Sequence, residues 1–258
     1  MLLTGASGGI GQAIAAALHQ RGAALLISAR RTDQLERIAA ELGGGVEVLP
    51  ADLTERGAPA ELVRRAGAVD VLVANAALPA SGPIDSFSPE EIDRALEVNL
   101  RAPIQLARAL VPGMVERGEG HVVLISSLSG KVASVGSSLY SATKFGLRGF
   151  AAGLREDLHD SGVGVTVVFP GFVSDAGMFA DAAVRLPRGV GTRRPEQVAA
   201  AVVKGIERGR AEIDVAPLGL RAGAALAALA PVTAARIQRR LGSAQLAHAI
   251  AEGQRPKR

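Results

Sequence analysis

The chain has 258 residues, 48% of them hydrophobic and 21% charged, which suits a single buried core and excludes a disordered chain. It has no cysteine, which excludes disulfides, a thiolate nucleophile and cysteine-based zinc sites, and its four histidines (His19, His121, His159, His248) lack metal-ligand spacing. The net charge of +4 is gathered at the end, where seven basic residues from Gly219 onward face one acid, Glu252; no aromatic residues interleave them, so nucleic-acid binding is not expected.

Residues 1–5 lack the charged start and long apolar run of a signal peptide, and no stretch is long and uninterrupted enough to span a bilayer. A soluble cytoplasmic protein is the default expectation. Aromatic residues are scarce, with six Phe, one Tyr and no Trp, so the core must be built from Ala, Val, Leu and Ile.

Leu2-Leu3 reads as a strand end, Thr4-Gly5-Ala6-Ser7-Gly8-Gly9-Ile10-Gly11 as a glycine-rich turn, and residues up to Gly22 as the helix that follows. Glycines let a ligand approach the backbone, and the free N–H groups and dipole of a helix start favour a phosphate. The spacing is neither the common G-x-G-x-x-G fingerprint nor a Walker-type loop. Residues 24–28 form a second apolar run, a buried parallel strand, ending in Ala29-Arg30-Arg31. An acid there would hold a ribose 2′-hydroxyl, whereas arginine suits a 2′-phosphate, so NADP(H) is preferred over NAD(H); two arginines at a helix start are also an ordinary solubilising feature.

A helix over residues 32–42 and a strand over 46–49 precede Asp52-Leu53-Thr54, where Asp52 either caps the next helix or accepts a hydrogen bond from an adenine amino group. Residues 69–73 are another buried strand, leading to Ala74-Asn75-Ala76-Ala77. Ser88-Pro89-Glu90-Glu91 is a helix start with cap, proline and capping-box glutamate, and the helix carries Asn99, a poor helix former that invites a polar site. Residues 121–125 form the fifth strand, delivering Ser126-Ser127. The next helix, ending near residues 160–162, holds Tyr140 and Lys144. At i and i+4 they share a helix face, and the ammonium would lower a phenol pKa that is ordinarily about 10. Such a pair is also a common solvated face. Residues 165–169 form the sixth strand, closed by Pro170-Gly171. The alternation of strand and helix predicts an α/β fold, a doubly wound parallel sheet, with ligands outside the carboxyl ends of its strands.

These residues resemble the short-chain dehydrogenase/reductase family. Thr4 to Gly11 matches its T-G-x-x-x-G-x-G, Asn75-Ala76 part of its N-N-A-G, and Pro170-Gly171 its P-G after the sixth strand. Asn99, Ser127, Tyr140 and Lys144 match its catalytic tetrad. Ser127 is chosen over Ser126 because the family places its serine thirteen residues before the tyrosine. The resemblance implies a single Rossmann-type domain over residues 1–258, with about seven strands, a substrate lid over 174–193 and a helical extension over 218–258. It implies homo-oligomers, dimers or tetramers. It implies that NADP(H) meets Gly5, Ser7, Gly8, Gly9, Ile10, Gly11, Arg30, Arg31, Asp52, Leu53, Asn75, Ala76, Tyr140, Lys144, Pro170, Gly171 and Val173. In its mechanism Tyr140 exchanges a proton with a carbonyl or alcohol oxygen as the cofactor exchanges hydride. Lys144 lowers the Tyr140 pKa and holds the nicotinamide ribose, Ser127 orients the carbonyl, and Asn99 holds a water linked to Lys144.

Three features depart from the family pattern. The first strand is short, as if the chain began downstream of its natural start; Ala74 and Ala77 replace an asparagine and a glycine; and Ser174-Asp175 stands near the family's nicotinamide-binding threonine.

Further on, a helix is expected from Pro195 to Arg208 and a seventh strand over residues 213–216. Residues 218–232 are rich in Ala and Leu: a helix packed on its own protein or a second subunit, or an interfacial helix which, with Arg236, Arg239 and Arg240, touches an anionic membrane. The expected function is NADP(H)-dependent interconversion of a carbonyl and a secondary alcohol. Leu128, Val135, Leu139, Phe172, Met178 and Phe179 would shape an apolar pocket for a lipophilic substrate. The rival is a non-catalytic NADP(H)-binding redox sensor or scaffold, against which the intact tetrad argues.

Overall fold

In the computed structural model the described residues are 1–181, 184, 186, 190–240 and 243–255. Seven parallel strands form one sheet: β1 (Leu2–Thr4), β2 (Leu25–Ser28), β3 (Val46–Val48), β4 (Val71–Ala74), β5 (Gly120–Ile125), β6 (Val163–Pro170) and β7 (Glu212–Val215). They lie in the order β3-β2-β1-β4-β5-β6-β7, so the winding direction reverses between β1 and β4 and opens a crevice at the carboxyl ends of those strands. Register is continuous across the centre, with Leu2 opposite both Leu26 and Leu72 and Val122 opposite Val165.

Both faces of the sheet are covered, which is why its central strands read as unbroken apolar runs rather than alternating ones. On one face Leu3, Val73, Val123 and Val168 pack on α1 (Gly9–His19), α2 (Thr32–Leu42) and α8 (Pro195–Arg208). On the other Leu2, Leu72, Val122 and Val167 pack on α3 (Ala58–Ala66), α5 (Ala102–Arg117) and α6 (Ser138–Asp157). Ser88 caps α4 (Pro89–Leu96) in the expected capping box with Glu91, at 3.2 and 2.9 Å. Two expectations are corrected. Asp52 does not cap α3, whose N-cap is Gly57; its Oδ1 instead accepts from the backbone and hydroxyl of Thr54. α4 does not run on through Asn99, because residues Glu97–Arg101 form a π-helical turn that leads into α5.

Among the described residues the expected helical extension consists of three helices, α9 (Leu218–Leu229), α10 (Pro231–Arg240) and α11 (Ser243–Gln254), the first two divided at Pro231. A short α7 (Gly177–Asp181) precedes α8. Residues 182, 183, 185 and 187–189 of the expected lid, and 241, 242 and 256–258 of the extension, lie outside the described residues. Among the described residues no helix is long and apolar enough to cross a membrane.

One histidine is built into the core. His121 on β5 is buried, its Nε2 2.8 Å from the Thr166 hydroxyl on β6, and Gly164 makes room for it: a Cβ there would lie 2.4 Å from Nδ1. The Thr166 hydroxyl donates to the Arg210 carbonyl, so it accepts from a protonated Nε2. Burial lowers the His121 pKa from 6.5 to about 4. The unfolded chain therefore binds a proton between those values that the folded chain refuses, and stability falls as pH drops from 6.5 toward 4. The loss amounts to about 3 kcal/mol. Urea titrations at pH 7 and pH 4.5 should show a steeper acid loss in the parent than in His121→Leu; equal losses would contradict the buried, neutral imidazole.

Candidate active site

The crevice is built around the turn after β1. Gly5 takes φ +65°, and a Cβ there would lie 2.7 Å from the Ala76 Cα; one on Gly11 would lie 2.2 Å from the Gly5 carbonyl oxygen. Only glycine permits that fold of the backbone. Gly8, the N-cap of α1, is different: a Cβ there would meet only the Gly5 oxygen at 3.6 Å, and no side chain caps the helix, which leaves its first N–H groups open to an anion. Asn75 secures the turn from β4, its Nδ2 donating to the carbonyls of Thr4 (3.2 Å) and Gly5 (3.0 Å), while the Thr4 hydroxyl accepts from the N–H groups of Asn75 and Ala76. Ser7 gives its carbonyl to Gln12 Nε2, and Ile10 projects into the cavity described below. Past β2, Arg30 and Arg31 are exposed, and Leu53 is buried beside Asp52.

The end of β5 and the start of α6 bring the other groups together. Ser127 Oγ accepts from the Ser129 N–H at 3.1 Å and is hydrogen-bonded to the Tyr140 hydroxyl. Lys144 is 2% exposed, its Nζ donating to the Ile125 carbonyl at 3.0 Å and lying 5.6 Å from the centroid of the Tyr140 ring. Ser126 Oγ donates to the Lys144 carbonyl at 3.0 Å, the structural role expected of it. Lys131, just past Ser127, reaches Asp214 (2.6 Å) and Glu212 (3.0 Å) on β7 and holds this loop against the sheet.

The electrostatics run against the expected direction. Burial pushes the Tyr140 phenol up to about 12, with the Ser127 hydrogen bond pulling weakly the other way, and burial lowers Lys144 to about 8. The expected lowering of Tyr140 by Lys144 is not what this geometry produces, because the ammonium faces a backbone carbonyl and desolvation of the phenol dominates. Asn99 also differs. Its side chain is committed to the loop after β4, accepting from the Leu78 N–H at 2.6 Å and donating to the Leu78 carbonyl at 2.9 Å.

A cavity of about 540 Å³ opens over Ser127, Tyr140 and Lys144. Of the six expected pocket residues, Leu128, Val135, Phe172, Met178 and Phe179 line it, while Leu139 is buried instead with Ala80, Phe87 and Ala95. Pro170, Gly171 and Val173 line it, and Val173 forms a β-bridge with Arg193. Ala176 rests on the glycine-rich turn: a Cβ on Gly9 would lie 2.3 Å from the Ala176 Cβ. Asp175 beside it has φ +63°, a costly conformation outside glycine.

Two contributors were missed by sequence reasoning. Gly130 lets the turn after Ser127 touch α6, since a Cβ there would lie 2.6 Å from Ser126 Oγ and 2.7 Å from the Lys144 carbonyl; no local pattern marks it. Leu246, Ile250 and Gln254 on α11 also line the cavity, and Gln254 Nε2 donates to the Met178 carbonyl of α7. Their spacing of four was the available signal.

Because Asn99 is fully buried and serves both polar groups of Leu78, Asn99→Ala should cost about 2–4 kcal/mol in chemical denaturation. A cost within about 0.5 kcal/mol would show that Leu78 finds other partners.

Residues 1–184 match the family model for short chain dehydrogenase. Ketoacyl reductase HetN of Nostoc sp. is 38% identical over 222 residues, 83% of this chain and 77% of that protein. Among solved structures, a short-chain dehydrogenase from Sphingobium yanoikuyae in complex with NADPH aligns with a TM-score of 0.78 and 31% identity over 90% of this chain and 94% of that one. The closed form of a serine dehydrogenase complexed with NADP+ aligns at 0.75 and 30%, over 84% and 94%.

Proposed function

From the membership of this chain in the short chain dehydrogenase family, which makes it an oxidoreductase, we propose that it is an NADP(H)-dependent enzyme interconverting a carbonyl and a secondary alcohol on a lipophilic substrate. The observation that carries the reading is the neutral Tyr140 phenol, hydrogen-bonded to Ser127 at the base of an apolar cavity with a buried lysine behind it.

The residues present fit a dinucleotide. The uncapped, glycine-lined start of α1 would hold its diphosphate, Arg30 and Arg31 a 2′-phosphate, and Lys144 the nicotinamide ribose. A dinucleotide held there would supply hydride chemistry at the carbonyl carbon. Ser127 holds the carbonyl oxygen and Tyr140 gives it a proton. A phenol with a pKa near 12 stays protonated throughout the neutral range, so the acid is ready without a preceding protonation. Leu128, Val135, Phe172, Met178 and Phe179 favour an apolar body beyond the carbonyl, in keeping with the ketoacyl reductase relative.

A panel of ketones and β-keto thioesters followed by NADPH absorbance should find a substrate whose turnover drops about 10²–10⁴-fold in Tyr140→Phe; turnover indifferent to that change would remove Tyr140 as the acid. NADPH should bind more tightly than NADH, and replacing Arg30 and Arg31 together by Ala should erase about 10–100-fold of that preference. Equal affinities in the parent chain would refute the arginine assignment.

A further inference from the structure

Among the described residues, α9 and α10 carry several large apolar side chains that are exposed. On α9 and at its turn into α10, Leu218 is 76% exposed, Leu229 87% and Val232 64%; Leu226 and Ile237 are also exposed. Scattered exposed leucines are ordinary, but these share one helical pair, where Ala222, Ala225 and Ala228 are exposed too. The charge on this pair has one sign. Arg221, Arg236 and Arg239 are exposed, and between Asp214 and Glu252 the sequence has no acidic residue. Arg221 reaches Asp214 only at 3.9 Å, and that carboxylate is already held by Lys131.

The same helices bound the cavity. Gly219, Gly223 and Leu226 of α9 and Ile237 of α10 line it and are exposed, as is Val135 across from them, so its mouth lies within the uncovered apolar face. A second copy of the chain is a poor cover in a symmetric contact, because it would bring the arginines of one face against those of the other. An anionic surface with an apolar interior matches both features, with arginines at the headgroups and leucines beneath them.

We propose that the face formed by α9 and α10 docks on an anionic lipid bilayer, and that the cavity takes its substrate from the bilayer through this mouth. The second half rests on the reading of the protein as a reductase of lipophilic carbonyls; the first does not. Leu229 and Val232 enter the acyl boundary, Arg221, Arg236 and Arg239 add on the order of fivefold each to binding at low salt, and the gap between Leu226, Ile237 and Val135 faces the lipid.

The absence of cysteine makes the test direct. Full-length Leu226→Cys, Ile237→Cys and, on the far sheet edge, Glu47→Cys each carry one polarity-sensitive fluorophore. They are mixed with vesicles of phosphatidylcholine alone or with phosphatidylglycerol. Emission should shift to the blue at positions 226 and 237 on the anionic vesicles only, and at position 47 on neither. Flotation with those vesicles should drop at least tenfold in the Leu229→Glu, Val232→Glu double variant, with NADPH binding retained as the measure of folding. No shift at 226 and 237 in the presence of anionic vesicles would overturn the proposal. So would a lipid-independent shift that grows with protein concentration, which would assign the face to a second copy. Neither readout uses turnover: a failed carbonyl panel beside positive vesicle shifts would sink the reductase reading and the delivery of a carbonyl substrate, while missing shifts beside an active enzyme would sink the docking alone.

Discussion

The site depends on how α6 is fastened to the end of β5. Lys144 sends its ammonium to the Ile125 carbonyl and receives the Ser126 hydroxyl on its own carbonyl, so strand and helix hold each other at two points one residue apart on the strand. A buried cation without a counter-ion is costly, and its pKa of about 8 records that cost. The arrangement persists because Lys144, almost fully buried, is held to the strand by both its ammonium and its carbonyl. Gly130 gives the turn after Ser127 room to close over the helix, and the Ala80 carbonyl meets the Tyr140 N–H. Tyr140 takes its position from this fastening together with the packing of its ring against the cluster of Ala80, Phe87, Ala95 and Leu139.

What was legible in the chain was whatever depends on near neighbours. The glycine turn, the capping box at Ser88 and the apolar runs of the strands all follow from backbone conformation and burial within a few residues, and the structure has them with boundaries shifted by a residue or two. Family resemblance supplied the grouping of Asn99, Ser127, Tyr140 and Lys144. Less legible was what depends on partners far along the chain. Asn99 was expected to hold a water, yet Leu78, twenty-one residues earlier, takes one donor and one acceptor of its amide. Leu139 precedes Tyr140 and was placed in the same pocket, although neighbours on a helix point about 100° apart. The phenol pKa was read from the lysine alone, when the dielectric around both groups decides its sign.

The extension shows a different limit. Its composition spelled out apolar helices, and Pro231 their division, but nothing local told whether those helices cover the protein or are themselves uncovered. They do both. Ala224 and Ala227 face the core, Leu246 and Ile250 line the cavity, and Leu218 and Leu229 face outward. The small residues Ala224 and Ala227 take the buried side of α9, and the larger ones are left for the outside.

The π-helical turn at Glu97–Arg101 carries a consequence for the length of the chain. A turn of this kind holds one more residue than an α-helical turn, so the faces of α4 and α5 are out of phase by about 100°. With that extra residue Asn99 turns inward to Leu78 while α5 still lays Leu106 and Leu110 against the sheet. This stretch therefore counts residues as strictly as a strand register does. A single deletion anywhere between Ser88 and Ala102 would leave every side chain chemically intact and still aim either the capped start of α4 or the amide of Asn99 in the wrong direction.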